Sequence, residues 1–132
     1  MLMDDDQLLN AARAVRSNAV ATFSNFKVGA ALLSIDGRIF TGCNVENATY
    51  GLTVCAERVA LFKALSEGVR QFARIAVVAD TGEPTPPCGA CRQLLWEFCG
   101  DIAVVLGNLT NLTARHQLAE LFPHPFDARI LS

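Results

Sequence analysis

The chain contains no run of lysine or arginine, and its 11 basic residues are outnumbered by 13 acidic ones, for a formal net charge of −2. Phosphate backbones are gripped through a positive footprint, so the balance argues against DNA or RNA as a partner. No stretch approaches the roughly 18 consecutive apolar residues of a membrane-spanning helix, and no membrane association is expected. The acidic opening, Met1-Leu2-Met3-Asp4-Asp5-Asp6, lacks the basic and apolar segments of a secretory signal. Cysteine is present as an odd count of five, with spacing that fits a metal site better than a disulfide framework. A cytoplasmic location is the simplest expectation. Only two histidines occur, His116 and His124, both in the last fifth of the chain and without metal spacing to the cysteines.

Charge is sparse, at 18%, whereas 52% of residues are hydrophobic. For 132 residues that balance predicts one domain, 1–132, with buried strands and a further buried surface between subunits. Apolar residues recur at helical spacing from Asp6 to about Ala21, after acidic residues suited to a helix start. Phe26–Ser34 and Arg38–Val45 read as a hairpin turning at Ile35-Asp36-Gly37. Cys55–Glu67 reads as a helix ended by Gly68. The apolar run Ile75–Ala79 reads as a strand covered on both faces, and Ile-Ala-Val-Val returns at Ile102–Val105. Between these two lie a proline-rich loop, Pro84–Pro87, and a helix over Gly89–Phe98; a last helix is predicted over Ala114–Leu121. Helix and strand in alternation imply parallel strands with crossovers, hence an α/β class with three α/β/α layers on a mixed sheet.

The chemistry-bearing residues are Cys55-Ala56-Glu57-Arg58 and Pro87-Cys88-Gly89-Ala90-Cys91-Arg92. Three thiols fill three corners of a zinc tetrahedron and leave the fourth for water, which separates a catalytic zinc from a structural one. Both cysteine clusters fall at predicted helix starts, where free N–H groups and the helix dipole favour thiolates. Glu57 stands two residues from the first thiol, placed to move protons at that water. Three thiolates carry excess negative charge, and Arg58 and Arg92 are candidates to offset it by donating to sulfur. A closed structural site would need a fourth ligand from Cys43, Cys99, His116 or His124. Cys43 and Cys99 read as buried small residues instead.

Four blocks together resemble the cytidine deaminases of the small, homotetrameric, three-cysteine zinc type: Phe26–Leu32, Gly42–Gly51, Thr53–Arg58 and Pro87–Gln93. The resemblance implies a cytidine-deaminase-like α/β/α fold with a mixed five-stranded sheet and one Zn²⁺ per subunit. It implies Cys55, Cys88 and Cys91 as zinc ligands and Glu57 as the proton shuttle. Asn44 and Glu46 resemble the pair that meets the sugar 3′-hydroxyl. Phe26 resembles the aromatic beside base and sugar, and a backbone carbonyl near Ala56 or Thr53-Val54 is expected to hold the amino group. Phe126 resembles an aromatic reaching into a neighbouring subunit's site, and Ala48 and Tyr50 contacts to a neighbour's 5′-hydroxyl. Each site would then be completed in trans within a homotetramer. Two positions depart from the family pattern: Phe23-Ser24 stands for Tyr-Ser, and Phe126-Asp127-Ala128 for Phe-Gly-Pro.

The implied function is zinc-dependent hydrolytic deamination of cytidine and deoxycytidine to uridine and deoxyuridine, a step of pyrimidine salvage. The rival readings are a deaminase of the same fold acting on another small base or nucleoside, such as blasticidin S, and a non-enzymatic zinc-stabilised interaction module.

Overall fold

Asp4 starts the first helix by a reciprocal cap. Its carboxylate accepts from the Gln7 backbone N–H at 2.8 Å, while the Gln7 side chain accepts from the Asp4 N–H at 3.0 Å. Helix α1 runs Asp5–Arg16 in a computed structural model that describes residues 3–111 and 113–131. The apolar stripe predicts continuation to Ala21, but the chain leaves the helix early. The Val20 N–H donates to Asn44 O at 3.0 Å and Val20 O accepts from Glu46 N–H at 2.8 Å. Pairing with a distant segment overrides the local pattern.

Strands β1 (Val28–Ser34) and β2 (Ile39–Cys43) form the expected antiparallel hairpin, with Gly29 opposite Cys43 and Leu33 opposite Ile39. Gly37 occupies the left-handed region at φ 90° that the turn requires. Helix α2 (Ala56–Ser66) leads to β3 (Phe72–Ala79), and helix α3 (Gly89–Cys99) crosses to β4 (Ala103–Gly107), parallel to β3. The sheet order is β2-β1-β3-β4-β5, a mixed five-stranded sheet.

The fifth strand corrects one expectation. Thr113–Gln117 is strand β5, antiparallel to β4, and only Leu118–Leu121 is helical, as α4. Alanine, arginine, glutamine and leucine are good helix formers, yet β4 offers an edge to pair with, and Arg115 donates to Asp5 at 2.7 Å.

Side chains alternate across the sheet into two cores. Ala31, Leu33, Ala76, Val78 and Val105 pack on Leu8, Leu9 and Ala12 of α1. Ala30, Leu32, Ile75, Val77, Val104 and Leu106 pack on Ala60, Leu61 and Ala64 of α2, and on Leu95 and Leu118. These are the three layers. Gly42 sets the spacing of α2 on β2: a Cβ there would stand 2.4 Å from Ala56 O and 2.6 Å from Ala60 N. That close approach brings the end of β2 against the start of α2.

Candidate active site

Cys55 and Cys88 are the N-cap residues of α2 and α3. A serine or aspartate there would turn its oxygen onto the helix. Neither cysteine side chain makes a capping bond, so both sulfurs are left for other work. Cys91 lies in the first turn of α3 and is fully buried. The Cys55 and Cys88 sulfurs are 4.0 Å apart, those of Cys88 and Cys91 3.5 Å. All three lie within 4.8 Å of one another, and among the described residues no further histidine, cysteine or carboxylate joins the group. Spacing and softness both fit Zn²⁺ held by sulfur, with no fourth ligand supplied among the described residues. Cys99, a rival fourth ligand, lies elsewhere, and burial pushes its thiol up to about 12.

The electrostatics favour a thiolate at Cys55. Hydrogen bonding from the Cys91 thiol, and then from Arg58, pulls Cys55 down to about 5. Cys91 moves upward, chiefly through the same bond to Cys55 and then through burial. Arg58 Nη2 donates to the Cys55 sulfur at 3.3 Å, as the sequence suggested. Arg92 does not follow that expectation. Its Nε donates to Pro87 O at 2.8 Å and its Nη1 to Leu121 O at 2.6 Å, so it braces the cysteine loop against the end of α4.

Glu57, in the first turn of α2, is only 4% exposed. Burial raises its pKa above the usual carboxylate value, and the neighbouring Cys55 adds to the rise. Glu57 lines a cavity of about 280 Å³ together with Cys55, Cys88 and Ala56. Phe26, Asn44 and Glu46 line the same cavity. The last two arrive there because Val45 and Val54 exchange both backbone bonds at 3.0 Å, tying the stretch after β2 to the residue before Cys55. Asn44 Nδ2 donates to Phe26 O, and its Oδ1 accepts from Val28 N–H, each at 2.8 Å.

Three residues expected to serve a neighbouring subunit's site lie outside this cavity. Tyr50 is 73% exposed and lines a shallower neighbouring depression, its ring edge-on to Phe23 at 5.5 Å. Ala48 is exposed and lies outside the cavity lining. Phe126 is 53% exposed, its backbone carbonyl accepting from the Gln93 side chain at 2.6 Å. The cavity also includes Thr53, expected from the sequence to offer its carbonyl, and Ser24, Val28, Val77, Thr85 and Pro86, which the sequence does not single out as site residues. Thr85 and Pro86 could have been found from their place just before Pro87-Cys88.

Comparison with known proteins agrees with this geometry. Residues 2–107 match the family model described as the cytidine and deoxycytidylate deaminase zinc-binding region. A cytidine deaminase of Halalkalibacterium halodurans is 53% identical over 127 residues, covering 96% of each chain. One from Sporosarcina psychrophila is 49% identical over 131 residues, covering 98% of this chain and 96% of the relative. The crystal structure of cytidine deaminase from Burkholderia pseudomallei superimposes with a TM-score of 0.90 at 51% identity, covering 94% of this chain and all of the other.

Proposed function

Since the chain belongs to the family of cytidine and deoxycytidylate deaminases with a zinc-binding region, we propose that it hydrolyses cytidine and deoxycytidine to uridine and deoxyuridine, releasing ammonia, with Glu57 moving the protons. The single observation that carries this reading is a three-sulfur cluster that meets one cavity through Cys55 and Cys88, beside the buried carboxylate of Glu57.

Cys55, Cys88 and Cys91 would hold Zn²⁺, which would supply Lewis acidity and make a nearby water easier to deprotonate. Glu57 accepts a proton from the attacking water and delivers it to ring N3, which makes C4 electrophilic. The oxygen bonds to C4, and Glu57 carries the second proton to the amino group. Ammonia leaves, C4 becomes a carbonyl, and N3 keeps its proton. One carboxylate thus serves as base and then as acid, a task suited to a carboxyl whose pKa burial has raised. Arg58 offsets the negative charge of the sulfurs from behind, donating to Cys55.

Asn44 and Glu46 hold the nucleoside at its 3′-hydroxyl, and Phe26 packs beside base and sugar. Their shared place in the cavity lining supports this assignment. The subunit works in a homotetramer in the cytoplasm, with Ala48, Tyr50 and Phe126 serving a neighbour's site. The exposure of Tyr50 and Phe126, and of Leu52 at 66% nearby, supports the assembly. No helix among the described residues is long and apolar enough to cross a membrane.

The test is direct. Purified zinc-loaded protein is mixed with cytidine, and the fall in ultraviolet absorbance and the release of ammonia are followed, with adenosine, guanine and blasticidin S in parallel. Turnover of cytidine alone supports the reading; turnover of a control in its place contradicts it.

A further inference from the structure

The three side chains assigned to the nucleoside within the cavity come from two separate stretches of chain, and one hydroxyl ties two of them together. Ser24 Oγ donates to Glu46 Oε2 and accepts from the Phe26 backbone N–H at 3.0 Å. The other Glu46 oxygen, Oε1, accepts from the backbone N–H groups of Phe23 and Ser24, each at 3.0 Å. Two backbone donors on one oxygen fix where the carboxylate sits. They do not fix its plane, because the terminal torsion of glutamate is broad. The hydroxyl on Oε2 fixes the plane. The same donors, the Ser24 hydroxyl foremost, hold the Glu46 carboxyl below its usual range, so it is an ionised acceptor at neutral pH. Ser24 is itself exposed, so no packing imposes its rotamer, and it lines the cavity next to Glu46.

We propose that Ser24 is a positioning residue for sugar recognition: acting through Glu46, it sets how strongly the site discriminates for the nucleoside 3′-hydroxyl. The inference rests on the reading that Glu46 meets that hydroxyl. Asn44, the other residue assigned to that hydroxyl, is anchored separately, its amide bonded to Phe26 O and Val28 N–H on the β1 side of the loop.

The experiment compares kcat/KM for cytidine and 3′-deoxycytidine in the zinc-loaded wild type, Ser24→Ala and Ser24→Thr, with metal content and Tm measured alongside. The wild type should favour cytidine. Ser24→Ala should lose roughly tenfold of that preference, the scale of one charge-assisted hydrogen bond. Ser24→Thr keeps a hydroxyl, has room for a methyl on the exposed side, and should retain the preference. If Ser24→Ala lowers kcat/KM equally for both nucleosides, or lowers Tm alone, Ser24 merely supports the loop and the proposal is overturned while the Glu46 reading stands. If the wild type does not distinguish the two nucleosides, the Glu46 reading fails and takes the proposal with it. Should Ser24→Ala not fold, Ser24→Cys offers a weaker donor, and an unreduced preference there counts against the proposal.

Discussion

Arg58 Nη2 lies 3.3 Å from the sulfur of Cys55, three residues earlier and just before the same helix begins. The Arg58 Nε is buried without a hydrogen-bond partner among the described residues. Leaving a guanidinium nitrogen unsatisfied costs free energy, and attraction between the guanidinium and the Cys55 sulfur acts against that cost. The contact supports the proposal that the arginine acts on the electrostatics of the sulfurs.

Replacing it separates the two roles. Arg58→Gln should keep one zinc per chain by elemental analysis and lower kcat by roughly tenfold, the effect expected of an outer partner of a metal ligand. Loss of zinc together with activity would show that Arg58 holds the ligand in place, and unchanged kinetics would remove its role.

Gly42 tests the close contact that carries β2 to the start of α2. In Gly42→Ala the new methyl would meet Ala56 O and Ala60 N, both backbone atoms that cannot swing aside. The substitution should destabilise by about 3 kcal/mol in urea unfolding. Gly82→Ala is the control, since a Cβ there meets nothing within 4 Å, and it should stay within about 0.5 kcal/mol of wild type.

Asp127 stands where the family pattern has glycine. It accepts from the Trp96 indole at 3.1 Å and from Arg129 Nη2 at 2.6 Å, holding the C-terminal segment to α3. Arg129 first, then Trp96, keep its carboxyl well below the ordinary 3.8. A folded-state pKa depressed in this way gives stability that is complete above the unfolded value and is lost as pH falls through the folded one. Asp127→Asn should therefore have a lower Tm than wild type at pH values near neutral. That gap should narrow below pH 3.8, where the unfolded carboxyl is protonated. A gap independent of pH would contradict the ionic account.

Much of this site was legible in the sequence because its parts are local. The cysteines stand at helix starts, with Glu57 one residue inside the helix, and the turn at Gly37 forces the hairpin. What the sequence hid depends on partners far along the chain. Strand β5 alternates exposed and half-buried residues, with no apolar face of its own. Its identity comes from the edge of β4, so Ala114–Gln117 reads as helix when taken alone. The early end of α1 is set by the pairing of Val20 with Asn44 and Glu46. Arg58 and Arg92 follow the first and third cysteines, yet one finds sulfur and the other finds two carbonyls. Arg58 stands three residues after Cys55 and Arg92 one after Cys91, so only the first shares a helix face with the cysteine it follows. Ser24 went unmarked because its partner, Glu46, lies 22 residues away.

In the proposed mechanism one buried carboxylate, Glu57, moves protons beside a metal it does not bind. The deciding measurement is turnover of cytidine by zinc-loaded Glu57→Gln, with metal content determined on the same sample. We expect one zinc per chain and a loss of activity on the order of 10³-fold or more, since the amide can neither accept nor return a proton. Near-normal turnover with zinc in place would contradict the assignment.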